Sequence, residues 1–388
     1  MISRDQQGGR VLMISAQFRP ILGGYERAAE RLCGALAESG MRVLVITERR
    51  ERAWSAVELI DGYEVRRLSC WYRRHFHAST SLLSFAGFLL RHGRAFDVWH
   101  VHQYGHHAAL AVALGKTLHR PVVLKLTSSG AMGIEKAIGN GIGARILAYF
   151  HRRVSACVAT SEETREEAAR FGVPAENIHL IPNGVDGRQF HPATQEERNA
   201  ARRELGLDCE RLVLYVGRLS PEKNPAGLLD AWSAIAPDAR AGALLGLVGD
   251  GPEWDTVCAK AQDPQLAGSV RLAGRQHDVA TWYRAADIYV IPSHREGLSN
   301  SMIEAMACGL PVISTRVSGS SVLLEAPVAG LVVEIGNGRM LTDAMRRLLE
   351  DAATRTRLGR NARLTFESRF SLESLSKKMI LLYENLPG

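Results

Sequence analysis

Short runs of β-branched and aliphatic residues alternate with helix-patterned segments along this whole 388-residue chain. That alternation narrows the available folds more than any other feature. A strand, a helix and a second strand return the chain to one sheet in one direction, so repeated units give parallel sheets covered by helices. In the first half the strand candidates are 11–15, 42–47, 63–68, 97–102, 121–126 and 154–160. Between the first two, a helix from about Tyr25 to Ser39 carries Ala28, Ala29, Leu32 and Leu36 on one face, with Gly40 as its stop. IPNGVD (181–186) reads as a crossover, and a second series follows at 211–217, 242–249, 287–292, 311–314 and 330–333.

The pattern predicts an α/β chain of two Rossmann-like domains facing each other, 1–186 and 187–370, with the linker near 182–195. No strand follows the amphipathic segment 371–386, so a C-terminal helix (371–388) is expected to pack back on the first domain. Ligands of open parallel sheets bind beyond the carboxyl ends of the strands, and the residues just after each strand therefore carry the functional argument.

Three such places stand out. SHREGLSNSMIEAMACGLPVIS (293–314) puts Glu296 in a loop, then GLSN, then a helix bearing Glu304. The loop amides and the helix start suit an anion such as a diphosphate. Glu304 suits a ribose diol through charge-assisted hydrogen bonds, and Glu296 suits sugar hydroxyls. Taken alone, the same residues also fit a surface loop and a solvated glutamate. YVGRLSPEKN (215–224) places Arg218 and Lys223 after the first strand of the second domain, where two cations can offset charge growing on a departing diphosphate. PILGGYERAAERL (20–32) sets Gly23 and Gly24 between the first strand and helix, allowing close backbone approach to a phosphate. Two solvated cations and a plain tight turn are the plainer readings of these last two.

Together, in this order, the motifs resemble family 4 retaining glycosyltransferases of the GT-B fold. The matching pieces are Gly-Gly, IPNGVD, VGRLSPEKN, VGDGPE (248–253) and EGLSNSMIE, whose two glutamates have seven residues between them. The likeness covers nearly the whole chain, is strong from Ile181 to Ser314 and weak over 60–150. It implies transfer of a hexose or N-acetylhexosamine from a UDP- or GDP-sugar, with retention, to a glycan or lipid-linked acceptor in polysaccharide or glycolipid synthesis. It assigns Arg218, Lys223 and Glu296 to catalysis. Gly23, Gly24, Arg275, Leu298, Ser299, Asn300 and Glu304 would bind the donor, Gly24 closing the phosphate site from the other domain.

One departure concerns the acceptor side. Many relatives end the strand corresponding to PVVLKL with a histidine, whereas here Leu126 or Thr127 falls there. His102, at the end of DVWHVH, is the alternative acceptor-side candidate with Thr127; a packed histidine is the competing reading. His100 shares its strand face, but no carboxylate or cysteine companion is apparent for a metal. No D-x-D occurs in the chain, so the transfer is expected to be metal-independent, without a cofactor. A nucleotide-sugar epimerase would need acid/base groups flanking the sugar, and no clear set is found. A non-catalytic nucleotide-sugar-binding protein would need the donor site alone.

Composition sets the remaining bounds. The six cysteines are scattered without a C-x-x-C pair, consistent with reduced thiols and a cytoplasmic location. No signal-peptide pattern opens the chain, and 81–90 is half of the ~20 apolar residues that span a bilayer. Residues 1–190 hold 25 Lys+Arg against 17 Asp+Glu and the remainder 23 against 24, so the net +7 lies in the first half. From 65 to 96 there are no acids; Arg66, Arg67, Arg73, Arg74, Arg91 and Arg94 mix with Trp71, Tyr72 and Phe76. Such a stretch suits an anionic acceptor or the inner membrane face, or a core-packing helix with an arginine rim. No nucleic-acid module is present.

Overall fold

The computed structural model describes residues 9–21, 24–71, 76–126, 142–297, 299–320 and 328–387. Gly23, Thr127 and Leu298, together with Tyr72, Arg73 and Arg74, lie outside them. The chain forms two units, residues 1–184 with 372–388 and residues 185–371.

The first unit is built on β1 (Arg10–Ile14), β2 (Arg42–Arg49), β3 (Val57–Ile60), β4 (Tyr63–Ser69), β5 (Val98–His102), β6 (Val122–Leu126), β7 (Ala156–Ala159) and β8 (Ile178–Leu180). Their order is β3-β4-β2-β1-β5-β6-β7-β8. Neighbours run parallel except β3 and β4, which form an antiparallel hairpin at the edge. The helices are α1 (Gly24–Glu38), α2 (His77–His92), α3 (His106–Leu118), α4 (Ile142–His151) and α5 (Glu162–Arg170). Strand alternation divides the core in two. Val11 and Met13 join Leu32, Cys33 and Leu36 of α1 on one face, while Leu12 and Ile14 join Phe85, Phe88 and Leu89 of α2 on the other. Burial on both faces is why these strands read as unbroken apolar runs.

The second unit holds β9 (Arg211–Val216), β10 (Ala243–Val248), β11 (Val270–Gly274), β12 (Ile288–Ile291), β13 (Val312–Thr315) and β14 (Gly330–Val333), all parallel, in the order β11-β10-β9-β12-β13-β14. Its helices are α6 (Gln195–Glu204), α7 (Pro225–Ser233), α8 (Trp254–Ala261), α9 (Ala280–Ala285), α10 (Asn300–Ala307), α11 (Gly338–Glu350) and α12 (Ala352–Arg369). α6 opens on a capping box of Thr194 and Glu197. Asp287 fastens it to the sheet, accepting from Arg198 at 2.8 Å, from Arg202, and from the Leu212 amide at 2.7 Å.

The last helix, α13 (Leu372–Glu384), returns to the first unit and packs against α1. Leu375, Met379, Leu382 and Tyr383 complete the α1 face of that core. Strand order reverses around β1, between β2 and β5, and around β9, between β10 and β12. Gly24 therefore follows one switch strand and Arg218 the other, the places where such sheets hold ligands.

The α1 face contains a polar exception. His102 of β5 pairs in register with Lys125 of β6. Lys125 and His100 are 0% exposed and His102 is 5% exposed. The two imidazoles stack 4.6 Å apart, and Tyr383 hydrogen-bonds His100 Nδ1. Lys125 Nζ, both His102 nitrogens and His100 Nε2 have no hydrogen-bond partner among the described residues. Burial, then the neighbouring Lys125 charge, pulls His102 down to about 3. Burial also draws Lys125 from its ordinary 10.5 to about 8, against an opposing pull from Cys33.

Because the folded value lies below the unfolded one, the charged lysine opposes folding at every pH below about 8. The penalty fades as pH rises toward 10.5. That difference corresponds to roughly 3 kcal/mol. Lys125→Met is therefore expected to stabilise the chain at pH 7 by a few kcal/mol. It should also remove the lysine's own contribution, which grows between pH 8 and 10.5, so that the variant's stability gains less with pH than the parent's. Urea melts at pH 7 and pH 10 measure this, and parallel pH slopes for the two proteins would refute it.

Candidate functional site

In the second unit, two loops leave adjacent strands at the switch point. The first runs from β9 through Arg218 and a 3₁₀ turn (Pro221–Lys223) to Asn224, whose left-handed backbone (φ 55°) starts α7. The second runs from β12 through Ser293 and Glu296 to the Ser299 N-cap of α10. The Glu222 carbonyl accepts from the amides of His294 (2.8 Å) and Arg295 (3.3 Å), and Asn224 Nδ2 donates to the Pro292 carbonyl. These bonds hold the loops side by side.

Lys223 and Glu296, which sequence assigned to diphosphate and sugar, form an ion pair across that junction. Their side chains are 22% and 13% exposed, so the pair is shielded yet reachable. Ser293 Oγ also donates to Glu296 Oε2 at 3.4 Å. Arg218 is exposed at the exit of β9, its carbonyl fixed by the Tyr215 hydroxyl at 2.9 Å.

VGDGPE braces this loop from behind. The Leu219 amide donates to the Asp250 carbonyl, and the Leu219 carbonyl accepts from the Glu253 amide, both at 3.0 Å. The backbones approach so closely that a Cβ on Gly249 would lie 1.8 Å from the Gly217 carbonyl oxygen, and one on Gly251 2.2 Å from that of Leu219. Glycine is required at both positions.

The start of α10 carries the remaining donor candidates. Ser299 is buried, and its hydroxyl accepts from the Met302 amide while lying 2.9 Å from Ser301 Oγ. Its hydroxyl thus caps the helix, a structural duty the motif did not reveal. Asn300 Oδ1 is buried without a hydrogen-bond partner among the described residues. Glu304 is 8% exposed, which corrects the picture of a solvated helix glutamate. Arg275 follows Gly274 at the end of β11 and is exposed.

Two buried tyrosines that sequence reasoning passed over hold this helix start. The Tyr283 hydroxyl lies 3.2 Å from Glu304 Oε2 and 3.0 Å from the Ser301 carbonyl. The Tyr289 hydroxyl lies 2.7 Å from Ser301 Oγ and 3.3 Å from the Val216 carbonyl. Their phenols are raised well above the ordinary range, by burial first, and remain donors. The available signal was a tyrosine within each apolar segment, WYRAAD and DIYVIP.

In the first unit the candidates are less assembled. Gly24 begins α1, the next element after the switch strand β1. His102 is packed into the α1 face, which favours the packed reading over an acceptor contact. Lys125, in KLTSSG, is the chemically unusual residue there, signalled by a lysine inside an apolar strand. Among the described residues, Glu48, Cys70 and His77 bring ligand-type atoms within 4.8 Å of one another, a companion set the sequence did not suggest. Glu48 is already engaged by Ser81 at 2.7 Å, His77 at 3.2 Å and Arg50 at 3.4 Å.

The basic stretch is also partly consumed by the fold. Arg67 is buried and pairs with Glu58 of β3, and Arg66 pairs with Glu64. Helix α2 buries Phe85, Phe88 and Leu89. Trp71, Phe76, Leu83 and Leu90 stay exposed, as do Arg91 and Arg94 at the far end of the helix from Phe76.

Residues 197–365 match the family model "Glycosyl transferases group 1" and residues 22–189 match "Glycosyltransferase Family 4". A D-inositol 3-phosphate glycosyltransferase of Thermobispora bispora is 30% identical, over 90% of this chain and 89% of that one. A GDP-mannose-dependent monoacylated alpha-(1-6)-phosphatidylinositol monomannoside mannosyltransferase of Corynebacterium glutamicum is 27% identical, over 97% and 98%. Among solved structures, Anabaena HepE in complex with UDP and glucose superposes with TM-score 0.77 at 20% identity, covering 97% and 100%. Sucrose-phosphate synthase of Thermosynechococcus elongatus superposes with TM-score 0.75 at 25% identity, covering 97% and 98%. Family models over both halves and a relative matched along nine-tenths of the chain make this protein a family 4 glycosyltransferase of the GT-B fold.

Proposed function

We propose that the protein moves a hexose or N-acetylhexosamine from a UDP- or GDP-sugar to a hydroxyl of a phosphorylated polyol, glycan or lipid-linked acceptor, retaining the anomeric configuration and using no metal. The observation that carries this reading is the junction at β9 and β12. There the β9 loop carries an exposed arginine and a lysine paired with a glutamate of the β12 loop, which leads into the capped start of α10 and a buried glutamate one turn into that helix. A diphosphate would meet its charge in Arg218, Lys223 and the α10 amides. The ribose would meet Glu304. Relatives acting on inositol phosphate and on a phosphatidylinositol mannoside support an acceptor of that chemistry.

In this reading the diphosphate draws Lys223 away from Glu296, and the released carboxylate accepts from sugar hydroxyls. The anomeric carbon–oxygen bond to the β-phosphate breaks as the acceptor oxygen bonds to the same face. The acceptor proton passes to the departing phosphate oxygen, so the step balances without a protein nucleophile. Arg218 and Lys223 stabilise the charge growing on the diphosphate, which is the interaction that changes most between substrate and transition state.

A thermal-shift panel of UDP, GDP and their sugars tests the donor reading, because a ligand that binds only the folded state raises the melting temperature with its concentration. No shift with any of them would sink it. Lys223→Ala is expected to lower kcat/KM by about 100- to 1000-fold and Glu304→Ala to raise the donor KM steeply. Circular dichroism should show both folds intact. Activity should persist in excess EDTA, and its loss would reverse the metal-independent assignment. Exposed Trp71, Phe76, Leu83 and Leu90, with exposed Arg91 and Arg94 in the same stretch, support docking to anionic lipid. Sedimentation with phosphatidylglycerol vesicles at low salt should capture the protein, and a Leu83→Ser/Leu90→Ser variant should stay in solution.

A further inference from the structure

Glu304 needs more than its place in the chain to serve as a ribose acceptor. A glutamate on a helix has three rotatable bonds, and a carboxylate free to sample them loses entropy when it closes on a ligand. A carboxylate as buried as Glu304, at 8% exposure, also needs hydrogen-bond donors to offset its desolvation. The chain supplies one from a different element. Tyr283, on the short helix α9, is 1% exposed and points its hydroxyl at Glu304 Oε2 from 3.2 Å.

The ring that carries this hydroxyl is itself held. Phe190 meets it edge-on at 5.6 Å and Tyr289 lies against it at 5.9 Å. Asp278 steadies the start of α9, accepting from the Thr281 hydroxyl at 2.6 Å and the Ala280 amide at 3.0 Å. The same hydroxyl lies 3.0 Å from the Ser301 carbonyl in the first turn of α10. One phenol, sharing its single hydrogen between these two acceptors, therefore links the carboxylate to the helix start beneath the proposed diphosphate.

We infer that Tyr283 is a positioning residue for donor recognition: its hydroxyl fixes the Glu304 carboxylate in the orientation that receives the ribose diol. The inference rests on the donor reading proposed above and assigns the recognition of ribose to a pair rather than to one glutamate. Tyr283 touches no substrate. It acts through Glu304, and its removal should be felt only by ligands that carry the diol.

The test compares UDP and GDP with their 2′,3′-dideoxy counterparts, by calorimetry, on the full chain and on Glu304→Ala and Tyr283→Phe. The parent should prefer the ribonucleotide, and Glu304→Ala should bring the two affinities within about twofold. Tyr283→Phe should cut the preference about fivefold, the effect of one hydrogen bond, while dideoxynucleotide affinity changes less than about twofold. If Glu304→Ala abolishes the preference and Tyr283→Phe keeps it, the inference fails and the donor reading stands. If Tyr283→Phe weakens both nucleotides equally, its role is structural and the inference again fails. If Glu304→Ala keeps the preference, or neither nucleotide binds the parent, the donor reading fails and takes this inference with it.

Discussion

Lys223 and Glu296 lie on separate loops, and the candidate site of this glycosyltransferase depends on their meeting. A partly buried ion pair loses much of its attraction to desolvation, and the loops are joined by other bonds besides it. The backbone supplies them. Glu222 accepts two amides from the β12 loop, and Leu219 is clasped by Asp250 and Glu253 from the β10 loop. Gly249 and Gly251 remove the side chains that would otherwise force these segments apart. Once three consecutive parallel strands end on loops bonded through main chain, the charges converge as a consequence. Rigid placement of charged groups before substrate arrives is what makes such groups effective in transfer chemistry.

Buried polarity is treated differently beside the candidate site of the second unit and on the α1 face of the first, although Arg198 Nε, Trp282 Nε1 and Asn300 Oδ1 of the second unit also find no partner among the described residues. In the second, each buried phenol near the site has an acceptor within hydrogen-bond distance, and Asp287 satisfies two arginines and an amide at once. In the first, four nitrogens of His100, His102 and Lys125 find no such partner among the described residues. An unmade hydrogen bond in a dry interior costs more than a made one contributes. The apolar packing contributed by α1 and α13 must therefore offset a local penalty. The first unit's sheet is held by hydrophobic burial in spite of these three side chains.

Much of this architecture was readable from sequence because parallel strands buried on both faces announce themselves as apolar runs. The strands that escaped notice are edge or near-edge pieces. β3 exposes three of its four residues, β8 has three residues, and β11 carries exposed Arg271 in a half-buried strand. Lys223, Glu296 and Glu304 were singled out because they lie in or just after the loops that follow strand ends, where ligands of such sheets bind. Tyr215, Tyr283 and Tyr289 were not, because a tyrosine in an apolar run reads as packing and its hydroxyl partner lies on another element. His102 shows the reverse failure. Period-two alternation tells which residues share a face but not what covers it, and here the cover includes Tyr383, 281 positions later in the chain.

Charge counted along the sequence also differs from charge available at the surface. The acid-free stretch from 65 to 96 suggested a basic face, yet β3 brings Glu58 across the hairpin to Arg67 and Glu64 turns back on Arg66. A register set by backbone pairing thus neutralises arginines that composition counts as free. What α2 leaves outward is a narrow line on which Phe76, Leu83 and Leu90 recur at helical spacing, with Ser79 and Gly87 between them. A stripe so thin buries too little apolar surface to hold a membrane alone, and single weak anchors bind reversibly. Its pull would have to be shared with Arg91 and Arg94, so that association through this helix weakens with salt while the fold does not.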